Sequence, residues 1–210
     1  MKAKQTVDRR IVRTRLAIRE ALVGLIKEKG FDALTVRDIV LLANINRGTF
    51  YLHYKDKFDL LEKTETEILN EIYQIFIKTS SIGFDDDHVT DQLQELIISL
   101  LVYVKDHAEL MHAILGLQGD YSLVKRFRVM LDQNLKLGVL SGFKEENFLV
   151  PKEYLIAYII QAHLGVLQSW LGSGCQEPPA EIARILFQLS FNGPMRAAGF
   201  GFNKSELVPR

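Results

Sequence analysis

The stretch INRGTFYLHYKDK, residues 45–57, gathers two tyrosines, a histidine, an arginine and two lysines within thirteen positions. Guanidinium, ammonium and phenol groups at this density suit a partner rich in phosphate oxygens and base edges. Read as a short helix over 47–54, the segment separates into two faces. Phe50 and Tyr54, four residues apart, fall on one side with Ile45 and point to a core. Gly48, Thr49, Tyr51, Leu52 and Lys55 fall on the other, His53 is lateral, and Arg47 stands at the N-terminal tip. That outward face is costly for a merely solvated surface. Glycine within a helix loses about 1 kcal/mol against alanine, and an exposed leucine gains nothing in water. Both make sense against a partner. Gly48 permits close backbone approach, Leu52 can meet a thymine methyl, and Arg47 can fork onto guanine. Thr49 and Tyr51 carry hydroxyls for phosphates or base edges, and Lys57 opens the next helix, placed for a phosphate.

The surrounding charge favours the same partner. The chain is formally neutral, yet residues 1–60 hold 13 Lys+Arg against 7 Asp+Glu, and the remainder carries the opposite excess. A basic segment on an acidic body points to a polyanion for the N-terminal part. Arg9, Arg10, Arg13 and Arg15 crowd the start of the first predicted helix, where the dipole disfavours cations and an external anion would offset the cost.

The elements that must position this cluster are all helical, because strand-type alternation never persists. A first helix is predicted over Arg9–Lys29, with Asp8 as N-cap, Gly30 at its end, and a stripe of Ile11, Ile18, Ala21, Leu22, Leu25 and Ile26. TVRDIVLLA forms the second, opened by a Thr35–Asp38 capping box, with Ile39, Leu42 and Ala43 inward. NIN at 44–46 is a tight break, with Asn46 as the next cap. Asp56 caps a connecting helix over 56–78, with a stripe of Leu61, Ile68, Ile72 and Ile75/Phe76. Further helices are predicted at about 91–106, 108–117, 121–140, 152–172 and 179–192. Two short helices joined by a three-residue turn after a longer first helix make a helix-turn-helix unit, whose second short helix enters the major groove.

LTVRDIVLLANINRGTFYLHYKDKFDLL, residues 34–61, resembles the DNA-binding segment of the TetR family of bacterial transcriptional regulators. The resemblance covers about the first third of the chain. It implies base contacts from Arg47, Gly48 and Thr49, and phosphate contacts from Thr35, Tyr51, His53 and Lys57. Tyr54 stands where the family more often has Phe, and Leu52 where it often has an aromatic or basic residue. SWLGSGCQEPPAEIARIL, from Ser169, resembles the end of a common C-terminal subtype of the family. The family implies a homodimer through the last two helices and a ligand cavity within the remaining ones.

The residues argue for the dimer independently. Residues 154–171 form a helix apolar nearly all round, which must be covered on nearly every side. Its polar interruptions mark it as a buried helix and not a membrane span. A second copy could complete that cover, with Trp170 at the helix end and Ile182, Ile185, Leu186 and Leu189 of the last helix forming a four-helix interface. Candidates for the cavity are large or amphipathic residues on predicted inner faces. They are Tyr103, His107, Met111 and His112, with Phe127, Met130, Tyr158 and His163 further along.

The chain therefore reads as all-α. Residues 1–57 form the helix-turn-helix domain and 58–204 a larger ligand-binding and dimerisation domain; 205–210, with LVPR as in a thrombin site, read as an expression scar. The N-terminus has no apolar run of the secretory type, and the single Cys175 permits no internal disulfide, so a cytoplasmic protein is expected. Catalytic motifs of the G-x-S-x-G, Walker, G-x-G-x-x-G and H-E-x-x-H types are absent, and an enzyme is not expected. Neither the three histidines among the cavity candidates nor the acidic loop SSIGFDDDHVTD, with its three aspartates and His88, has metal-ligand spacing, so no metal or cofactor is expected. The expected function is a ligand-responsive repressor that binds a palindromic operator in double-stranded DNA as a dimer and is released by a small molecule. The alternative is a coactivator of the same fold working through protein contacts.

Overall fold

The computed structural model describes residues 9–80, 89–115, 122–134 and 148–197. Among the described residues there are nine helices and no strand: α1 (Arg9–Ala33), α2 (Val36–Leu42), α3 (Arg47–Tyr51), α4 (Lys57–Ser80), α5 (Val89–Asp106), α6 (Ala108–Leu115), α7 (Ser122–Asn134), α8 (Lys152–Gly172) and α9 (Pro179–Ala197). The all-α expectation holds. Asp8, the acidic loop with His88, and the C-terminal residues read as a scar lie outside the described residues.

The described residues fall into two compact units. One holds those up to Glu71 and those within Glu109–Leu123; the other holds those within Ile72–Ala108 and from Val124 onward.

In the first unit, the core is pinned by Ile18, Leu22, Leu34, Ile39, Phe50, Leu60 and Ile68, each no more than 1% exposed. Gly30 ends the regular part of α1 where the sequence placed its terminus: its φ of 77° breaks the helix, and only one further turn follows. A side chain is strained at such a φ, and glycine is not. The α1 stripe is buried from Ile18 onward, but Ile11 is exposed, because the first turns of α1 extend past the packed part. In α2, Ile39 and Val40 are buried while Leu42 is exposed. Leu42 instead walls an open cleft of about 300 Å³ with Ala17, Glu20, Ala21 and Ala43. Helix α6 belongs to this unit, and Lys27 of α1 pairs with its Glu109 at 3.1 Å.

In the second unit, α9 packs chiefly on α5 and also touches α8. Ile156, Ile160 and Leu164 of α8 form an apolar cluster with Val124, Phe127 and Leu131 of α7 and with Phe148. The turn after α8 carries Gly174 (φ 79°) and Cys175 (φ 53°). It is held by Lys105 of α5, whose ammonium donates to the carbonyls of Cys175 (3.0 Å) and Glu177 (3.2 Å).

Candidate nucleic-acid interface

Each short helix of the N-terminal unit starts at a cap that the sequence announces. Thr35 accepts the Asp38 N–H at 3.3 Å, and the Asp38 carboxylate accepts both the Thr35 N–H and the Thr35 hydroxyl at 2.8 Å. Lys29 closes on the same carboxylate at 2.8 Å. The Lys29 ammonium, then the Thr35 hydroxyl and N–H, hold the Asp38 carboxyl down at about 2. Asn46 caps α3 by accepting the Thr49 N–H at 2.7 Å and its hydroxyl at 3.0 Å. Asp56 caps α4 by accepting the N–H groups of Phe58 and Asp59.

The faces divide as the spacing predicts. Phe50 and Tyr54 are buried, their rings 5.6 Å apart. Arg47, Gly48, Tyr51 and Leu52 are exposed, Leu52 at 83%, and Thr49 is partly so. Regular α-helix ends at Tyr51, earlier than the predicted Tyr54. The chain then continues as a turn, with His53 and Tyr54 both donating their N–H to the Phe50 carbonyl. The next N–H, of Lys55, goes to the Asp59 carboxylate instead, which Lys63 also holds at 2.8 Å. A Cβ at Gly48 would stand 3.3 Å from the Asn46 Oδ1 and otherwise meet open space. Arg47 has no ion-pair partner among the described residues.

Three phosphate candidates look different in three dimensions. The Thr35 hydroxyl proton and N–H are both committed to Asp38, so the closed capping box leaves Thr35 no donor for a phosphate. His53 is half-buried. Desolvation, then the nearby charges of Arg15 and Lys63, push its pKa below the usual value, which disfavours the cation that a phosphate would attract. Lys57 donates to three backbone carbonyls, of Phe31 (3.0 Å), Asp32 (2.9 Å) and Leu34 (3.0 Å). An ammonium has three protons, and all three are in use.

Arg37 escaped the sequence reading. It is exposed in the first turn of α2, with no ion-pair partner among the described residues. The signal was available: a cation in a helix's first turn is unfavourable unless an anion comes to it.

The eight cavity candidates are divided between the two units. Met111 is buried and His112 exposed on α6, in the N-terminal unit. In the other unit, the rings of Tyr103 on α5 and of His107 just past its end lie 4.4 Å apart, tilted by 30°. Phe127 joins the α7–α8 cluster, Met130 is half-buried on α7, and Tyr158 is exposed. His163 lies 3.3 Å from the Ser190 hydroxyl of α9, and burial pushes its pKa down.

Among the interface candidates, Trp170, Ile182 and Leu186 are buried within their own unit, and the Trp170 indole donates to the Glu177 carbonyl at 3.2 Å. Ile185 and Leu189 are half-exposed. Helix α8 is long and apolar enough to cross a membrane, yet only 28% of its most apolar window is buried. Its bare face runs Tyr154, Tyr158, Gln161, Gly165 and Gln168 at helical spacing.

Two capped short helices, the second of which buries Phe50 and exposes Arg47, Gly48 and Tyr51, make a helix-turn-helix DNA-binding unit. Comparison with known proteins gives the family. Residues 18–64 match the family described as "Bacterial regulatory proteins, tetR family", and residues 91–192 match "Transcriptional regulator C-terminal region". The chain belongs to the TetR family of bacterial transcriptional regulators. It is 29% identical over 191 residues to the helix-turn-helix-type transcriptional regulator YxbF of Bacillus subtilis (strain 168), covering 89% of this chain and 47% of that one. It thus spans about half the length of that relative. It is 25% identical over 143 residues to IcaR of Staphylococcus epidermidis, a negative transcriptional regulator of the biofilm operon icaADBC, covering 66% of this chain and 74% of that one. The fold matches the fatty acid degradation regulator FadR of Bacillus halodurans (TM-score 0.66, 20% identity, 86% of this chain and 96% of that one). It also matches FadR of Bacillus subtilis in complex with stearoyl-CoA (TM-score 0.63, 19% identity, 85% and 98%).

Proposed function

We propose that this regulator is a cytoplasmic repressor that binds a palindromic operator as a homodimer and is released by a small molecule. The observation that carries the reading is the exposed face of α3. Arg47, Gly48, Tyr51 and Leu52 are held outward by a capped helix whose opposite side is locked by Phe50 and Tyr54. Residues 1–57 act as the DNA-reading domain. Arg47, Gly48 and Thr49 address base edges; the Asn46 cap keeps its bond to the Thr49 N–H whichever way that hydroxyl turns. Tyr51, with Arg37 added, addresses the backbone.

The dimer is supported by the bare face of α8. Gly165 sits mid-helix and exposed, and a Cβ there would find no atom within 4 Å. Nothing in its own surroundings explains a residue that costs a helix about 1 kcal/mol. Close approach of a second copy of α8 would. Residues 58–204 thus act as the dimerisation and effector domain. The effector is an apolar or amphipathic molecule, by analogy with FadR of Bacillus subtilis, whose structure holds stearoyl-CoA, and with the apolar α7–α8 cluster here. It would act by binding one position of α4 better than another, since a ligand shifts an equilibrium only through differential affinity.

Selection from random duplex DNA tests the reading. Inverted repeats are expected, because a two-fold dimer presents two equivalent recognition helices. Arg47→Ala should change which base is preferred at one position of each half-site, at about 1–3 kcal/mol. Recovery of asymmetric sites, or of none, would overturn the proposal and favour a coactivator working through protein contacts.

A further inference from the structure

Lys57 opens α4, and its side chain reaches back to the last turn of α1 and to Leu34 just after it. Its ammonium meets the carbonyls of Phe31, Asp32 and Leu34 at 2.9–3.0 Å. These carbonyls follow the break at Gly30, where the end of α1 leaves backbone acceptors without helical partners. The ammonium also lies over the rings of Phe31 (5.0 Å) and Phe58 (5.3 Å), which pack edge to face at 5.5 Å. Leu34 is 1% exposed and immediately precedes Thr35, the residue that starts α2. One cation therefore joins the first turn of α4 to the end of α1 and to the residue that precedes the α2 cap.

We propose that Lys57 is a positioning residue for DNA recognition: its ammonium fixes the α1–α2 connection to the start of α4 and does not bind phosphate. The inference rests on the regulator reading and concerns how its reading head is held. A phosphate oxygen could reach this nitrogen only by displacing one of the three carbonyls. The fixed joint in turn aims α2, and through the Ala43–Ile45 turn it aims α3. The turn is tied to α2 by the N–H of Ile45 donating to the Val40 carbonyl at 3.0 Å. A movement of α4 would reach α2 directly through Lys57, without first passing through α3.

The test compares the unsubstituted protein with Lys57→Met, which keeps an unbranched stem between the rings, and with Lys57→Arg, which keeps the charge. Each is titrated with a mixed-sequence duplex and with the inverted repeat that the unsubstituted protein selects, over a range of salt concentrations. Circular dichroism is recorded at the assay temperature. A positioning role predicts that Lys57→Met leaves the affinity for the mixed duplex and its salt slope unchanged. It also predicts that affinity for the selected site falls by about tenfold or more, the equivalent of one misplaced base contact. Lys57→Arg should not restore that affinity, because a planar guanidinium cannot converge on three carbonyls as an ammonium does. A slope reduced by about one on both duplexes, with rescue by arginine, would identify a phosphate contact and overturn the proposal. So would unchanged binding to both. Should Lys57→Met fail to fold, the lysine ammonium resonances of the ¹⁵N-labelled unsubstituted protein decide. The Lys57 protons should exchange slowly in the free protein and keep their shift when the mixed duplex is bound. A shift on binding overturns the inference. If the unsubstituted protein selected no DNA, the regulator reading would fall, whereas the clamp would still be read from exchange in the free protein.

Discussion

Gly48 shows what one position contributes and how far sequence could read it. Its place on the outward face followed from helical spacing alone, and the structure leaves it exposed with its nearest outside atom at the Asn46 cap. Its φ is not of the left-handed kind, so alanine fits the backbone. Gly48→Ala should therefore leave thermal stability unchanged or slightly raised. Helix propensity gains up to about 1 kcal/mol, less what the 3.3 Å approach to Asn46 Oδ1 takes back. Affinity for the selected operator should nevertheless fall, because the added methyl stands on the face offered to DNA. Thermal melts and filter binding on one preparation check both parts; unchanged affinity would remove Gly48 from the contact face. Lys57 is the opposite case. Its identity and position are plain in the sequence, but its partners lie more than twenty residues away at the end of another helix. Local pattern could only place it as a cation at a helix start.

At the scale of elements, the caps were the most legible features. A cap is a contact within three or four residues, and Thr35 with Asp38, Asn46 and Asp56 all stand where helices begin. Helix ends were less legible. α3 stops at Tyr51 because the His53 N–H turns to the Phe50 carbonyl three residues back, and the Lys55 N–H then goes to Asp59, a residue of the following helix. The inward residues of α2 were also misassigned at Leu42, because seven residues give a periodic pattern too few turns to fix a face. The box opening α2 yields a two-part prediction. Thr35→Ala should cost about 1 kcal/mol in urea denaturation, as loss of a threonine cap does. The Asp38 carboxyl, depressed from 3.8 to about 2, contributes stability that is fully present above its unfolded value and is lost as pH falls through the folded one. The acid side of the stability profile between those values should therefore be less steep in Asp38→Asn than in the unsubstituted protein. Identical profiles would show that the box does not hold in solution.

At the scale of the whole molecule, the apolar pattern of α8 announced that the helix needs cover but could not say from which side. A helix apolar on every face carries no directional signal. For that reason Trp170, Ile182 and Leu186 read equally well as interface or as core, and the structure buries all three within one chain. What remains open is the face through Tyr158, Gln161 and Gly165; Phe191 of α9 is exposed as well. Substitution at Gly165 separates the two roles in a way that Trp170 cannot, since truncating a buried tryptophan would cost about 3–5 kcal/mol whatever the oligomeric state. Glutamate is a good helix former, and at Gly165 its Cβ meets nothing within 4 Å in the single chain. Gly165→Glu should therefore keep the helical circular dichroism signal of the monomer. Against a second copy of α8 the same side chain is a bulky charge buried without a partner, a loss of several kcal/mol. Light scattering should show the mass halved at concentrations where the unsubstituted protein is a dimer. Operator affinity should fall steeply with it, because each monomer holds one half-site alone, although no DNA-facing residue has changed. Full dimer mass with full operator binding would place the interface on another face of the C-terminal unit.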